Sequence, residues 1–250
     1  MRREWKCEWM KVRYRKIGLI LSAFLGIIIL WIVWAVRDAP PEEIWDGYRM
    51  SFLQISLIDT ILMPTMIAML ASRLCDAEVK GDMLKLLCTM EQKGRLFDMK
   101  LLMGSVYLAV FVAAELGIIM GMSILYGYGR PLEPIQLLYF VTQIYLVSFV
   151  IYMFQQVLSF FFENQIIPLA AGLFGSFVGL FAWFFSGNLR KLFIWGFYSL
   201  LCFIHYNWDE KTRIITYYNV PFDTGSLILL LIILALGYIA GKNLFLRKEI

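Results

Sequence analysis

Two acidic side chains stand inside long apolar runs and are the first candidates for chemistry. Asp59 interrupts the run 50–71, and Glu115 interrupts the run 101–126. Burying a charge in lipid is costly, so such acids are functional candidates unless they are protonated or hydrogen-bonded to a neighbouring helix. Each lies about 12 to 14 residues from the loop that joins the two runs. At about 1.5 Å per residue, this gives them similar depths.

Two interpretations of these acids remain open at this point. A facing carboxyl pair could serve general acid–base catalysis in an intramembrane enzyme. Otherwise, each acid is protonated or hydrogen-bonded to a neighbouring helix. The glutamines that could act as such partners are Gln54, Gln143, Gln155 and Gln156.

The other reactive residue types show no metal, redox or nucleotide pattern. The chain has one histidine, His205, four cysteines without metal-ligand spacing, and neither HExxH nor the P-loop pattern GxxxxGK[ST]. We therefore expect no metal site, no cofactor bound by this chain and no ATP hydrolysis by the chain itself. Its basic residues lie beside the apolar runs, so no nucleic-acid partner is expected.

Composition favours a location in a lipid bilayer. Hydrophobic residues make up 60% of the chain, charged residues 17%, and the mean hydropathy is +0.70, outside the usage of soluble domains. Apolar runs of about 20 residues match helices that cross a bilayer. The sequence predicts an all-α polytopic protein, a single domain over 1–250. The six predicted spans are 17–36, 50–71, 101–126, 137–162, 166–185 and 225–245.

A seventh apolar stretch, 192–206, is short for a span and rich in aromatic residues. Such rings prefer the membrane interface. We therefore predict an outer segment, 186–224, whose aromatic part is interfacial or re-entrant. Its candidate residues are Phe193, Trp195 and Tyr198.

The distribution of Lys and Arg predicts both termini in the cytoplasm. With six spans, 16 of the 23 basic residues fall on the side of the termini. In the N-terminal segment, Trp5, Trp9 and Val12 recur at helical spacing among basic residues, which indicates an amphipathic interfacial helix. Basic charge that only fixes topology is a compatible explanation.

The longest predicted cytoplasmic segment, 72–100, has the pattern of a short amphipathic helix. Val79, Met83, Leu84 and Leu87 recur at helical spacing with charged residues around them. Taken alone, this pattern also fits a membrane anchor or sensor that recruits a soluble partner.

This segment resembles the permease subunits of type 2 ABC exporters. In that family an acidic residue, a Gly, a short run of leucines and a turn lead to a Lys that opens the third span. Here the turn is 92–95, and residues 90–92 depart from the family pattern. The residues to which the resemblance assigns ATPase coupling are Asp76, Glu78, Gly81, Leu84, Leu87 and Lys100.

The resemblance implies that 72–100 contains a coupling helix that docks on a separate ABC ATPase subunit, which binds ATP and Mg²⁺. It also implies a second permease, identical or homologous, and a place in the bacterial cytoplasmic membrane. The length and the aromatic outer segment look most like permeases of lantibiotic self-immunity and peptide-resistance exporters. The expected substrate is then an antimicrobial peptide or a lipid-like molecule, and the outer segment would shape its exit.

Overall fold

The computed structural model describes residues 9–10, 15–79, 92–211 and 213–248, which are mostly helical. In chain order the helices are α1 (Ile17–Arg37), α2 (Pro41–Trp45), α3 (Gly47–Val79), α4 (Lys93–Tyr126), α5 (Pro134–Phe161), α6 (Ile166–Ala182), α7 (Gly187–Arg190), α8 (Phe197–Leu200) and α9 (Thr224–Arg247). A 3₁₀ turn (Ile194–Gly196) and two strands, β1 (Ile204–Trp208) and β2 (Ile215–Asn219), complete the described elements. Most of the predicted N-terminal amphipathic helix and the centre of the predicted coupling segment lie outside the described residues.

Five of the described helices, α1, α3, α4, α5 and α9, are long and apolar enough to cross a bilayer. They confirm the prediction of a polytopic helical membrane protein. The apolar helix α6 has 17 residues, about 25 Å at 1.5 Å per residue, against a hydrocarbon thickness of about 30 Å. The sixth span, and with it the count of six, therefore stays a prediction.

Helices α3 and α4 extend well beyond the apolar runs that predicted them. The run 50–71 lies within a helix that continues to Val79, and the run 101–126 lies within a helix that begins at Lys93. Helical backbone hydrogen bonds do not require apolar side chains, and Lys, Arg, Leu and Met all have good helix propensity. Much of the predicted segment 72–100 is therefore a continuation of these two helices.

Helix α3 is the most buried of the five long apolar helices, with 72% of its apolar window inside the protein. Helix α6 packs closely against it through small residues. A Cβ added at Gly179 would lie 2.8 Å from the Thr60 carbonyl oxygen, and one at Gly172 would overlap the Ala68 side chain. Ser176, between these glycines, bonds to Thr65 of α3 at 2.9 Å. Small residues at such spacing let two membrane helices approach closely.

Pro64 lies inside α3, and the helix continues through it. Because proline has no N–H, the Thr60 carbonyl loses its helical donor. This carbonyl faces Gly179 of α6. The Thr60 hydroxyl also accepts a hydrogen bond from Trp183 Nε1 at 3.2 Å. Helix α6 therefore packs on the side of α3 where proline leaves a backbone carbonyl without its helical donor.

An antiparallel hairpin between α8 and α9 corrects the prediction of an all-α fold. Ile204 pairs with Asn219, and Trp208 with Ile215. Within the two strands only Ile204 and Tyr217 are buried. The alternation that marks a half-buried strand is therefore too weak to read in the sequence. The predicted interfacial piece 192–206 instead comprises short helical turns followed by the start of β1.

Gly179→Leu should lower the free energy of unfolding by about 1–3 kcal/mol or more, because its side chain would meet the α3 backbone. Thermal unfolding of the purified protein in detergent measures the loss. Gly26→Leu in α1 is the matched control, because nothing lies within 4 Å of a Cβ at that position. Equal losses at the two positions would contradict close packing of α3 and α6.

Candidate functional site

Five of the predicted candidates lie on α3 and α4, and the structure brings four of them together as two pairs. Glu78, near the end of α3, contacts Lys100, near the start of α4. Asp59 contacts Glu115 farther along the two helices. All four residues are at most 1% exposed. We call Glu78–Lys100 the basal pair and Asp59–Glu115 the carboxyl pair.

The basal pair is a buried ion pair. Lys100 Nζ lies 2.8 Å from Glu78 Oε1. The Tyr152 hydroxyl of α5 donates to the Lys100 carbonyl oxygen at 2.9 Å. Gly104, one turn farther along α4, leaves the space in which the Tyr152 ring lies. Removing either charge from such a pair would leave the other in a site without water, so the pair is a strong constraint on the helix ends.

A second ion pair ties α4 to α9 at the same end of the bundle, which we call the basal end. Lys242 Nζ lies 2.6 Å from Asp98 Oδ2, and the Tyr238 hydroxyl donates to Asp98 Oδ1 at 2.8 Å. Three aromatic rings pack together beside it, namely Phe97, Phe160 and Phe245. The basal end therefore joins α3, α4, α5 and α9.

The remaining predicted coupling residues are only partly described. Asp76 is half-buried and lines a shallow cavity of about 160 Å³ with Arg73. Gly81, Leu84 and Leu87 lie outside the described residues. The structure thus shows how the segment is anchored at both ends.

The carboxyl pair is fully buried, with both residues 0% exposed. The two carboxyl groups lie close enough to interact directly. Among the described residues, no hydrogen-bond donor serves any of their four oxygens. An ionised carboxylate can only accept hydrogen bonds. A direct hydrogen bond between the two groups therefore requires a proton on one of them.

The four glutamines named as possible partners of these acids bond elsewhere, so none of them is a partner of Asp59 or Glu115 in the structure. The Gln54 side chain accepts from Trp31 Nε1 at 3.2 Å, and Gln156 donates to the Phe97 carbonyl at 3.0 Å. Gln155 is oriented toward Pro168 and Gly172. Sequence placed all these groups at membrane depth, but the rotation of each helix decides which of them meet.

Sequence analysis missed a hydrogen-bond network between α3, α5 and the outer segment. Gln143 donates to the Tyr198 carbonyl at 2.8 Å and to the Ser56 hydroxyl at 3.2 Å. The Tyr198 hydroxyl lies 2.8 Å from Ser148 Oγ. Burial raises the pKa of the nearby Cys202 thiol to about 11, which keeps it protonated. The only signal in the sequence was the presence of Ser56, Gln143 and Ser148 in apolar runs.

The three aromatic candidates of the outer segment take different positions. Tyr198 is fully buried in the network just described. Trp195 packs onto Gly175 of α6 and meets the Phe174 ring edge-on, with centroids 6.4 Å apart. Phe193 is half-buried. The segment thus packs against the helices α5 and α6.

A cavity of about 320 Å³, the outer cavity, opens between α3, α6 and β1 at the end of the bundle that carries the hairpin. Leu53, Leu57 and Ile204 give it apolar walls, and Arg190 and His205 give it a polar side. Burial, and then the charge of Arg190, lowers the pKa of His205, which favours its neutral form. The cavity therefore presents both apolar and cationic surface.

No cluster of three or more His, Cys, Asp or Glu side chains suited to a metal ion occurs in 9–10, 15–79, 92–211 and 213–248. The carboxyl pair contributes two acidic side chains, one fewer than such a cluster needs.

Comparison with known proteins identifies the family. The family model described as ABC-2 family transporter protein matches residues 5–179. This match covers more than half of the chain, from the N-terminal segment into α6, and includes both pairs. No curated protein matches the sequence. The chain therefore belongs to the ABC-2 family of transporter proteins and is a membrane permease subunit of an ABC transporter.

Proposed function

We propose that this chain is one membrane half of an ABC exporter that receives the movement of a separate ATPase through residues 72–100. ATP and Mg²⁺ would bind to that ATPase, and a second permease, a copy or a homologue, would complete the channel. Family membership supports the ATPase partner and a dimeric arrangement. The observation that carries the coupling proposal is the basal pair.

The basal pair joins the two helices on either side of residues 80–91. Glu78 is the penultimate residue of α3, and Lys100 lies two turns into α4. Their contact of 2.8 Å is shielded from water, and breaking it would leave two buried charges apart. A push on the intervening segment would therefore move the two helices together. In this proposal Glu78 and Lys100 position the segment, and Gly81, Leu84 and Leu87 contact the ATPase.

Contacts around the basal pair carry such a movement to the rest of the bundle. Asp98 links α4 to Lys242 of α9. Tyr152 links α5 to α4 through the Lys100 carbonyl. Helix α3 also packs along α6, whose end borders the outer cavity. A displacement at the basal end would thus alter the outer cavity at the other end of α3.

The outer cavity supports an amphipathic substrate. Its apolar walls suit a lipid-facing surface, and Arg190 and His205 suit polar or anionic groups. At about 320 Å³ it would hold part of a peptide. We propose export of a lantibiotic-like antimicrobial peptide from the membrane, as self-immunity or resistance, by a protein with both termini in the cytoplasm.

Glu78→Gln and Lys100→Met should each lower the free energy of unfolding by about 3–5 kcal/mol, because each removes one charge of a buried pair. The double variant should lose less than the sum of the two. Thermal unfolding of the purified chain measures this cycle. Asp98→Asn is the control, since its more exposed pair with Lys242 should contribute only about 0–1 kcal/mol. Strictly additive losses at Glu78 and Lys100 would show that the basal pair contributes no coupling.

Leu84→Asp with Leu87→Asp should abolish co-purification with the candidate ATPase, because the docking face would become charged. Leu192→Asp, an exposed residue of the outer segment, is the matched control and should leave binding intact. Binding that survives Leu84→Asp and Leu87→Asp would refute this docking site. Binding without any change in ATP turnover would favour the anchor or sensor alternative.

Cells that carry the chain and its ATPase should survive a several-fold higher lantibiotic concentration than cells with an ATPase that cannot hydrolyse ATP. Exclusion of the peptide from the membrane is the physical reason. Growth inhibition assays and the amount of cell-bound peptide measure the effect. Equal sensitivity of the two strains to lantibiotics would exclude this substrate and leave the permease assignment untouched.

A further inference from the structure

The carboxyl pair is not explained by coupling to an ATPase. It lies inside the bundle, nineteen residues along α3 from Glu78, and its two side chains have no exposed surface. Neither residue lines the outer cavity. A catalytic pair would need access for water and substrate, so the arrangement favours a different role.

No basic side chain of the described residues lies beside the pair to neutralise it. On α3, Arg49 is ten residues from Asp59, about 15 Å along the axis, and Arg73 is farther. On α4, Lys100 is fifteen residues from Glu115, about 22 Å along the axis. Neither α3 nor α4 therefore supplies a counter-ion for two ionised carboxylates within the membrane part of the bundle.

The neighbouring elements also supply no cation. Helices α5 and α6 contain no charged residue, and α1 and α9 carry theirs only near their ends. The titratable groups that the outer segment adds to the adjoining network are the Tyr198 hydroxyl, bonded to Ser148, and the protonated Cys202 thiol. Both are neutral. Two ionised carboxylates in contact here would repel each other in a medium that screens poorly.

We propose that Asp59 and Glu115 form a proton-binding site, and that a proton held between them joins α3 to α4. The proton supplies the donor that neither carboxylate has, and it removes the repulsion between them. Loss of the proton would separate the two helices at this point. Because α3 and α4 also flank residues 80–91, protonation of the pair would set how the ends of these two helices are placed on either side of that segment. The proton site itself does not depend on an ATPase partner.

Stability as a function of pH tests the site in the full purified chain. The wild-type melting temperature should fall as the pH rises above the range in which a free carboxyl group titrates, because the folded chain keeps a shared proton that the unfolded chain releases. Glu115→Gln should largely remove this fall, since the amide N–H₂ is a permanent donor to Asp59. Glu43→Gln is the control: Glu43 is a buried acid on α2 that accepts from the Ile215 N–H at 2.9 Å, and this variant should keep the fall. Parallel falls in the wild type and Glu115→Gln would overturn the proposal.

Infrared spectroscopy of the wild-type chain gives a second measurement that requires no variant to fold. At neutral pH the spectrum should contain the carbonyl stretch of a protonated carboxyl group, and Asp59→Asn or Glu115→Gln should reduce it. Absence of this band in the wild type would overturn the proposal. So would stabilisation of the wild type, but not of Glu115→Gln, by Na⁺ or K⁺, because the pair would then hold a metal ion.

Discussion

Helix α3 is the element on which the rest of the structure depends, because its polar side chains must find partners where water is absent. It is 72% buried along its apolar window, and a buried polar group without a partner costs free energy. Each neighbouring helix forms hydrogen bonds with a different part of α3. The bonds are Trp31–Gln54 with α1, Gln143–Ser56 with α5 and Thr65–Ser176 with α6. With the two pairs to α4, they fix the rotation of four helices about α3.

The two pairs between α3 and α4 both place ionisable side chains inside the protein, but the interactions that stabilise them differ. In the basal pair a positive and a negative charge neutralise each other, and Lys100 Nζ lies 2.8 Å from Glu78 Oε1. In the carboxyl pair both groups are acids, so a direct hydrogen bond between Asp59 and Glu115 needs a proton. The basal pair is held by opposite charges, whereas a direct contact in the carboxyl pair depends on a proton. The same two helices thus combine an ion pair with a proton-dependent contact.

The outer segment packs on α6 and caps the C-terminal end of this helix. Arg190 donates to the carbonyl oxygens of Trp183 and Phe185 at 3.0 and 2.8 Å, just after the helix ends. Carbonyl groups near a helix end lack helical donors, and a basic side chain can replace them. Trp195 then packs on Gly175 of the same helix. The segment therefore supports the end of α6 and forms a wall of the outer cavity.

Sequence by itself determined the class of the protein and most of its helices, because the length of an apolar run is a local property. It located five long helices, placed Asp59 and Glu115 at similar depth, and the order of residues in 72–100 indicated the family. Only the tertiary structure decided that these two acids lie beside each other and that Glu78 faces Lys100 inside the bundle. It also revealed the hairpin at Ile204. Such contacts depend on how helices rotate and pack, and a strand with one buried residue leaves no periodic signal in the sequence.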